Sequence, residues 1–290
     1  MDGFEVSPVE DLRSPVVVIA FSGWSDTGRV TTDAADHLIQ TYHAERFLSV
    51  DPEEYFVFTD TRPYVRLIEG GLREINWPSN EAHAARLGDS QHDLVIVKGT
   101  EPNLRWEAFA TRLSEAIAAL RPSLVCTLVA RPAATPHTRP IPVSGSSADA
   151  ALASRFGLGR SMYQGATGLI GVAHDEMRKH GLSLVSLAAS VPHYLSAEEN
   201  PPATIALLRA LEPMLGFVPP LEKLEGQCEE FLQRVEDASR GDDQIGSYVR
   251  ALEEQYEESG TPALEAETPP ELSADDILRD VEDLLRGDGS

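Results

Sequence analysis

A three-layer α/β/α fold around a mostly parallel sheet is what this 290-residue sequence predicts. Three observations lead there. Four short apolar runs, 16–21, 94–97, 124–129 and 184–189, lack alternation and are mostly rich in β-branched residues, the pattern of strands buried on both faces. Between them lie stretches with apolar residues at helical spacing, the covering that a parallel sheet requires. Each run also leads to a polar or glycine-rich cluster, and in such sheets the loops after the strand carboxyl ends share the edge where ligands bind.

In chain order, the first run meets Gly23-Trp24-Ser25-Asp26-Thr27-Gly28, and 27–43 then carries Val30, Ala34, Leu38 and Ile39 at helical spacing. Short strands are expected at 46–50 and 55–59. Strand-like runs 65–69 and 72–77 flank Gly70-Gly71, a tight hairpin because both turn positions can take positive φ. A lone hairpin is marginal in water, so this one is expected to pack at a subunit interface. Residues 103–120 place Leu104, Phe109, Leu113, Ile117 and Leu120 on one helix side, with Pro122 beyond. A shorter helix is expected at 147–156. Gly165, Gly168 and Gly171 space as G-x-x-G-x-x-G, which misses the dinucleotide fingerprint. Residues 182–191 form the last core strand, and Asn200-Pro201-Pro202 starts a helix running to Gly216.

Pro219-Pro220 marks a boundary, giving an α/β core over 1–217 with a hairpin insertion near 64–77. Two amphipathic stripes follow, through Leu224, Phe231 and Val235 and through Ile245, Tyr248 and Leu252, and define a helical lid over 218–258. Residues 259–290 read as an acidic linker and a short terminal helix, capped at Ser273 and Asp276 and carrying Ile277, Leu278, Val281, Leu284 and Leu285, a docking element for a protein partner.

The formal net charge of −23 excludes phosphate-backbone binding, so no nucleic-acid partner is expected. The charge is uneven: residues 216–290 hold 21 acidic and 6 basic side chains, a net −15. No run reaches the roughly 18 apolar residues of a membrane span and the amino terminus lacks a basic leader, so a cytoplasmic location without membrane partners is expected. Cys126 and Cys228 are too few for a disulfide framework or a four-ligand zinc site and read as reduced thiols. No spacing supports a metal site, and no motif names a cofactor.

The strand-end clusters hold the candidate chemistry. Residues 23–30 have the gap of a phosphate-binding loop, but Arg29 and Val30 stand where Lys and a hydroxyl residue belong. The same segment misses the nucleophile elbow at Thr27, and Ser25 or Asp26 also suits a helix cap. Lys98-Gly99-Thr100-Glu101-Pro102 places two charges at the ligand edge, although a carboxylate before a helix also gains from its dipole. Trp24 and Trp106 either stack on a ligand or fill core volume. His137 and His193 each follow a proline in a strand-end loop, positioned for acid–base work, for holding a metal with Asp26 or Glu101, or for hydrogen bonds to turn backbone. His174 and His180 read as solvated on a polar helix.

Taken together, Gly23-Trp24-x-Asp26-x-Gly28, Lys98-Gly99-Thr100-Glu101-Pro102 with Trp106, Pro136-His137-Thr138-Arg139-Pro140 and Val191-Pro192-His193-Tyr194-Leu195 before Asn200-Pro201 resemble the proteasome assembly chaperone 2 family, in its actinobacterial uncharacterised branch. The resemblance spans about 15–258, in order, with Thr27 where the family usually has Ala. It implies a core akin to nucleoside phosphorylases and related hydrolases, a helical lid and homo-oligomers, trimers among them. It brings no established reaction; eukaryotic relatives are chaperones for proteasome rings. The ligand-binding candidates are Gly23, Trp24, Asp26, Gly28, Lys98, Glu101, His137, Arg139, His193 and Tyr194. Two readings follow: a non-catalytic binding or assembly module with a ligand cleft at the strand ends, or a small-molecule hydrolase or phosphorylase-like enzyme using the same cleft.

Overall fold

The computed structural model describes residues 3–9, 11–68, 71–88, 90–240 and 243–259. The expected acidic linker and terminal helix lie outside these residues, as does Gly70 of the hairpin turn.

The chain runs β1 (Phe4–Val6), β2 (Val16–Ser22), α1 (Val30–Thr41), β3 (Glu45–Val50), β4 (Tyr64–Leu67), β5 (Arg73–Asn76), β6 (Asn80–Ala85), β7 (Leu94–Thr100) and α2 (Trp106–Ala119). It continues through β8 (Leu124–Ala133), β9 (Val143–Ser146), α3 (Ala150–Phe156), α4 (Leu169–Lys179), β10 (Leu184–Pro192), α5 (Pro201–Ala210), α6 (Glu212–Leu215), α7 (Glu222–Arg240) and α8 (Asp243–Ser259). Eight strands form one sheet in the order β1-β3-β6-β7-β2-β8-β10-β9, and β4 and β5 form a separate hairpin. The four central strands, β7-β2-β8-β10, are parallel; β1, β3, β6 and β9 join antiparallel at the flanks.

The lack of alternation in the central strands has its cause in two cores. Val16, Val18 and Ala20 of β2 face Val30, Ala34 and Leu38 of α1 and Leu207 and Leu208 of α5. Val17, Ile19 and Phe21 face the opposite layer, where Phe109, Leu113 and Ile117 of α2 and Leu169, Ala173 and Met177 of α4 pack. Every residue from Val16 to Phe21 is therefore buried, and a strand covered twice has no polar side to show.

Three local expectations are corrected. Residues 55–59 form no strand. Pro52 opens a 3-10 turn capped by the Asp51 carboxylate, and Tyr55, fully buried, packs its ring on Phe4 and Phe109 while its carbonyl accepts from Asn103 and Leu104. The first helix begins at Val30 because Gly28 and Arg29 both have positive φ, 62° and 54°. His174 is not solvated: Nε2 lies 2.8 Å from Thr127 Oγ1 on β8, and burial pushes its pKa down.

Candidate functional site

The first cluster sits at the ends of β2 and β7. Gly23 has φ 125°, and a Cβ there would stand 3.0 Å from the Glu101 side chain, so the loop passes against that residue only because position 23 is glycine. Glu101 accepts from Trp24 N (3.3 Å) through Oε2 and from Leu169 N (2.5 Å) through Oε1, while its own N–H donates to Ser22 O (2.9 Å). Leu169 is the first residue of α4, so this carboxylate supplies an acceptor that the helix start lacks.

Asp26 plays the same part for α1. Oδ1 accepts from Thr31 N and Thr31 Oγ1 (2.7 Å each) and from Thr32 N (3.3 Å), and Oδ2 accepts from Thr32 Oγ1 (2.6 Å). Next to it, Gly28 donates to Ser196 O and accepts from Asn200 N, both at 3.1 Å, which ties this loop to the segment after β10. Lys98 points toward α1, with Nζ 2.5 Å from Asp36 Oδ2. Beside that pair, burial raises the Asp33 pKa to about 6. Trp24 is 60% exposed and fills no core; Trp106 is partly buried against the α2 layer, its indole N–H bonded to Pro102 O.

A second cluster lies at the ends of β8 and β10, under α7 and α8. His193 Nδ1 donates to Ala133 O (3.1 Å), which assigns the neutral tautomer and leaves Nε2 to accept from the Tyr248 hydroxyl (2.8 Å). The Tyr194 oxygen accepts the His137 N–H (2.8 Å); we assign its proton to His137 Nδ1, also at 2.8 Å. His137 Nε2 is then the protonated nitrogen, buried and without a partner among the described residues. Burial pushes both imidazole pKa values down, against the upward pull of Glu236 and Glu253 on His137 and of the Ala133 carbonyl on His193. It pushes the Tyr194 phenol up.

These polar contacts are set into an apolar seam of Tyr194, Leu195, Phe231, Val235, Ile245, Tyr248, Val249 and Leu252. The rings of His193, Tyr194 and Tyr248 pack edge to face, with centroids 5.6 to 6.2 Å apart. Arg139 pins the far end of α8 through Glu253 (2.9 Å) and Glu257 (2.7 Å). The helices thus close over the β8 and β10 ends by packing on them.

Asp26, Glu101, His137 and His193 fall into two pairs, and none of the four hydrogen-bonds to another among the described residues. A groove of about 720 Å³ lies to one side, between residues 138–143, α5 and α7, lined by His137, Arg139, Ile141, Ile205, Arg209 and Leu232 among others. Sequence reasoning missed the partners that hold the candidates: Thr31 and Thr32, Leu169 N and the Tyr248 hydroxyl. The Thr-Thr pair following an Asp-containing loop was the one local signal available, since hydroxyls and free N–H groups at a helix start need an acceptor.

The arrangement defines an α/β protein whose strand-end loops are fastened to helix starts and capped by a helical hairpin. The model of the PAC2 family matches residues 20–239, and the chain belongs to that family. Among solved structures it is similar to a PAC2 family protein of Streptomyces avermitilis, 38% identical over 81% of this chain and 99% of that one, TM-score 0.73. It is also similar to a proteasome-assembly chaperone homologue of Mycobacterium tuberculosis, 39% identical over 81% and 99%, TM-score 0.72. A second M. tuberculosis protein, of unknown function, is 27% identical over 89% of each chain with TM-score 0.80. No curated protein matches the chain. No described helix is long and apolar enough to cross a membrane.

Proposed function

We propose that this protein is a non-catalytic binding module that assists assembly, with proteasome subunits as its partner class. The observation that carries the reading is the state of the four acid–base candidates. Both carboxylates accept from helix starts, and both imidazoles are bonded to tyrosine hydroxyls beneath packed helices. Acid–base catalysis needs a group within reach of a substrate proton, and Asp26, Glu101 and His193 are occupied by structure, while His137 is held at Nδ1 with only Nε2 left without a partner among the described residues. The M. tuberculosis relative at 39% identity, described as a proteasome-assembly chaperone homologue, supports the same reading. The alternative, a hydrolase or phosphorylase-like enzyme, has no observation in its favour.

In this reading the protein works in the cytoplasm as a homo-oligomer, a trimer, and residues 273–286 contact the partner. A small ligand of the module belongs in the groove beside His137 and Arg139, where space and charge coincide. Affinity capture with the full chain against actinobacterial proteasome subunits tests the proposal. Retention of a subunit by the full chain, and its loss on deletion of 272–290, is the expected result. Equal retention by both moves the contact off the tail, and no retention by either removes the proteasome from the account.

A further inference from the structure

Between β2 and β8 the chain leaves the sheet in opposite directions: from β2 through α1 to β3 on one flank, and from β8 to β9 and β10 on the other. In a parallel sheet such a switch point opens a crevice outside the strand carboxyl ends, and ligands bind there. Ala130 N donates to Ser25 O at 2.8 Å, so Ser25 and Arg131 are neighbours across this seam. Alternation along β8 turns Leu128 and Ala130 toward α1 and α5, and Thr127, Val129 and Arg131 toward α4. Ser190 of β10 pairs in register with Arg131 and shares its side. The Ser25 hydroxyl is there too, 3.6 Å from where a Cβ on Gly168, the residue before α4, would stand. The Trp24 ring lies 3.1 Å from the same point and is 60% exposed.

We propose that Arg131, Ser25 and Ser190 form an anion subsite for the carboxylate or phosphate group of a small organic molecule, whose flat ring stacks on Trp24. Charge is the first argument. Arg131 is half-buried, its Nε is sealed from solvent, and its guanidinium makes no hydrogen bond or ion pair among the described residues. The two other half-buried arginines, Arg112 and Arg139, both pair with glutamates. In a chain of 47 acidic and 24 basic side chains, an unpaired cation drawn out of water is an open position for an anion. Glu101 is the acidic group beside Gly168, and its two oxygens are already engaged by Leu169 N and Trp24 N. Donors are the second argument. The Ser25 and Ser190 hydroxyls have no partner among the described residues, although Ser190 is only 5% exposed. An arginine fork binds a carboxylate or phosphate through two oxygens, and hydroxyls can donate to what remains. The site lies on the α4 side of the sheet, away from the groove beside α5 and α7, and stands independently of the assembly reading.

Calorimetric titration and thermal unfolding of the full chain test this, with inorganic phosphate, phenyl phosphate and benzoate at millimolar concentration against chloride at equal ionic strength. Wild type is expected to bind an aryl anion and to gain Tm from it, more than from inorganic phosphate, because only the aryl ligands reach Trp24. Binding of benzoate alone assigns a carboxylate and of phenyl phosphate alone a phosphate; either supports the subsite. Arg131→Gln is expected to weaken binding at least about tenfold. Without ligand its Tm is expected to equal or exceed that of wild type, since it removes an unpaired cation. Arg121→Gln, the same charge change at the other end of β8, is expected to bind as wild type does. Ser25→Ala, at a partly exposed position, is expected to weaken binding about threefold or more, a second reading should Arg131→Gln not fold. No binding of any of the three anions by wild type overturns the proposal, as does unchanged affinity in Arg131→Gln or in Ser25→Ala. An equal loss in Arg121→Gln overturns it in favour of net charge, and a lowered Tm of unliganded Arg131→Gln in favour of a structural arginine. Phenyl phosphate binding no tighter than inorganic phosphate overturns the part given to Trp24.

Discussion

Tyr248 on α8 donates its hydroxyl proton to His193 Nε2 at the end of β10, 2.8 Å away. The bond joins the C-terminal hairpin to the core across 55 residues of sequence. It fixes the imidazole tautomer, since the other nitrogen is already committed to Ala133 O. Tyr248→Phe keeps the ring packing and removes only the donor, leaving a half-buried acceptor unpaired. The expected cost is about 1–2 kcal/mol, read as a lower Tm and faster proteolysis in 216–221, where α7 leaves the core. Unchanged proteolysis would show that apolar packing alone holds the hairpin.

Glu101 holds the starts of two segments, Trp24 and Leu169. Glu101→Ala leaves both N–H groups without their acceptor and is expected to cost about 1–3 kcal/mol. Glu101→Gln retains a carbonyl oxygen and is expected to cost less. Hydrogen exchange should localise the loss to 168–172; equal stability of the Ala variant would mean that water serves the helix start as well.

Gly28 cannot be replaced cheaply. Its φ is 62°, and an added Cβ would meet Glu198 O at 2.9 Å. Gly28→Ala is expected to destabilise by about 1–3 kcal/mol, measured by denaturant unfolding. At Gly181, where φ is 71° but nothing lies within 4 Å, the same change is expected to cost less.

The pH dependence follows from the buried imidazoles. Burial holds the folded-state pKa values of His137 and His193 below the ordinary 6.5, so near and below that pH the unfolded chain binds more protons. Stability from these groups is complete above about 6.5 and is lost as pH falls through their folded-state values. Asp33 acts in the opposite sense: with its pKa raised to about 6 from 3.8, it contributes stability at low pH that is lost as pH rises through 6. The imidazole contribution to unfolding free energy is therefore expected to fall on acidification below about 6.5, with Asp33 opposing it below about 6, and a His137→Gln/His193→Gln variant should reduce that fall. A slope identical to wild type would place its origin in other groups.

The parallel centre of the sheet was legible because double burial leaves a direct trace, the unbroken apolar runs at 16–21 and 124–129. The helix at Asn200-Pro201-Pro202 was legible for a local reason too, since Asn200 Oδ1 accepts from Ala203 N. The flanking strands β1, β6 and β9 left little trace. They are short and only partly buried, and β6, with the sequence Asn-Glu-Ala-His-Ala-Ala, is low in strand-forming residues and pairs because β3 and β7 flank it. Within the site, residue types gave the positions of Asp26, Glu101, His137 and His193 but not their partners. The partners of Asp26, Thr31 and Thr32, are local, but those of the other three come from elements brought close only by the fold, as with Leu169 for Glu101 and Tyr248 for His193. The orientation of His174 toward Thr127 was hidden for the same reason.

Native mass spectrometry of the full chain mixed with actinobacterial proteasome subunits tests the central claim, that this protein acts by binding and not by chemistry at its strand ends. The account predicts a defined complex that persists in folded Glu101→Gln and His137→Gln variants, because those residues hold structure. Absence of a complex with every subunit, together with a small molecule that co-purifies with wild type and is lost from both variants, would contradict it.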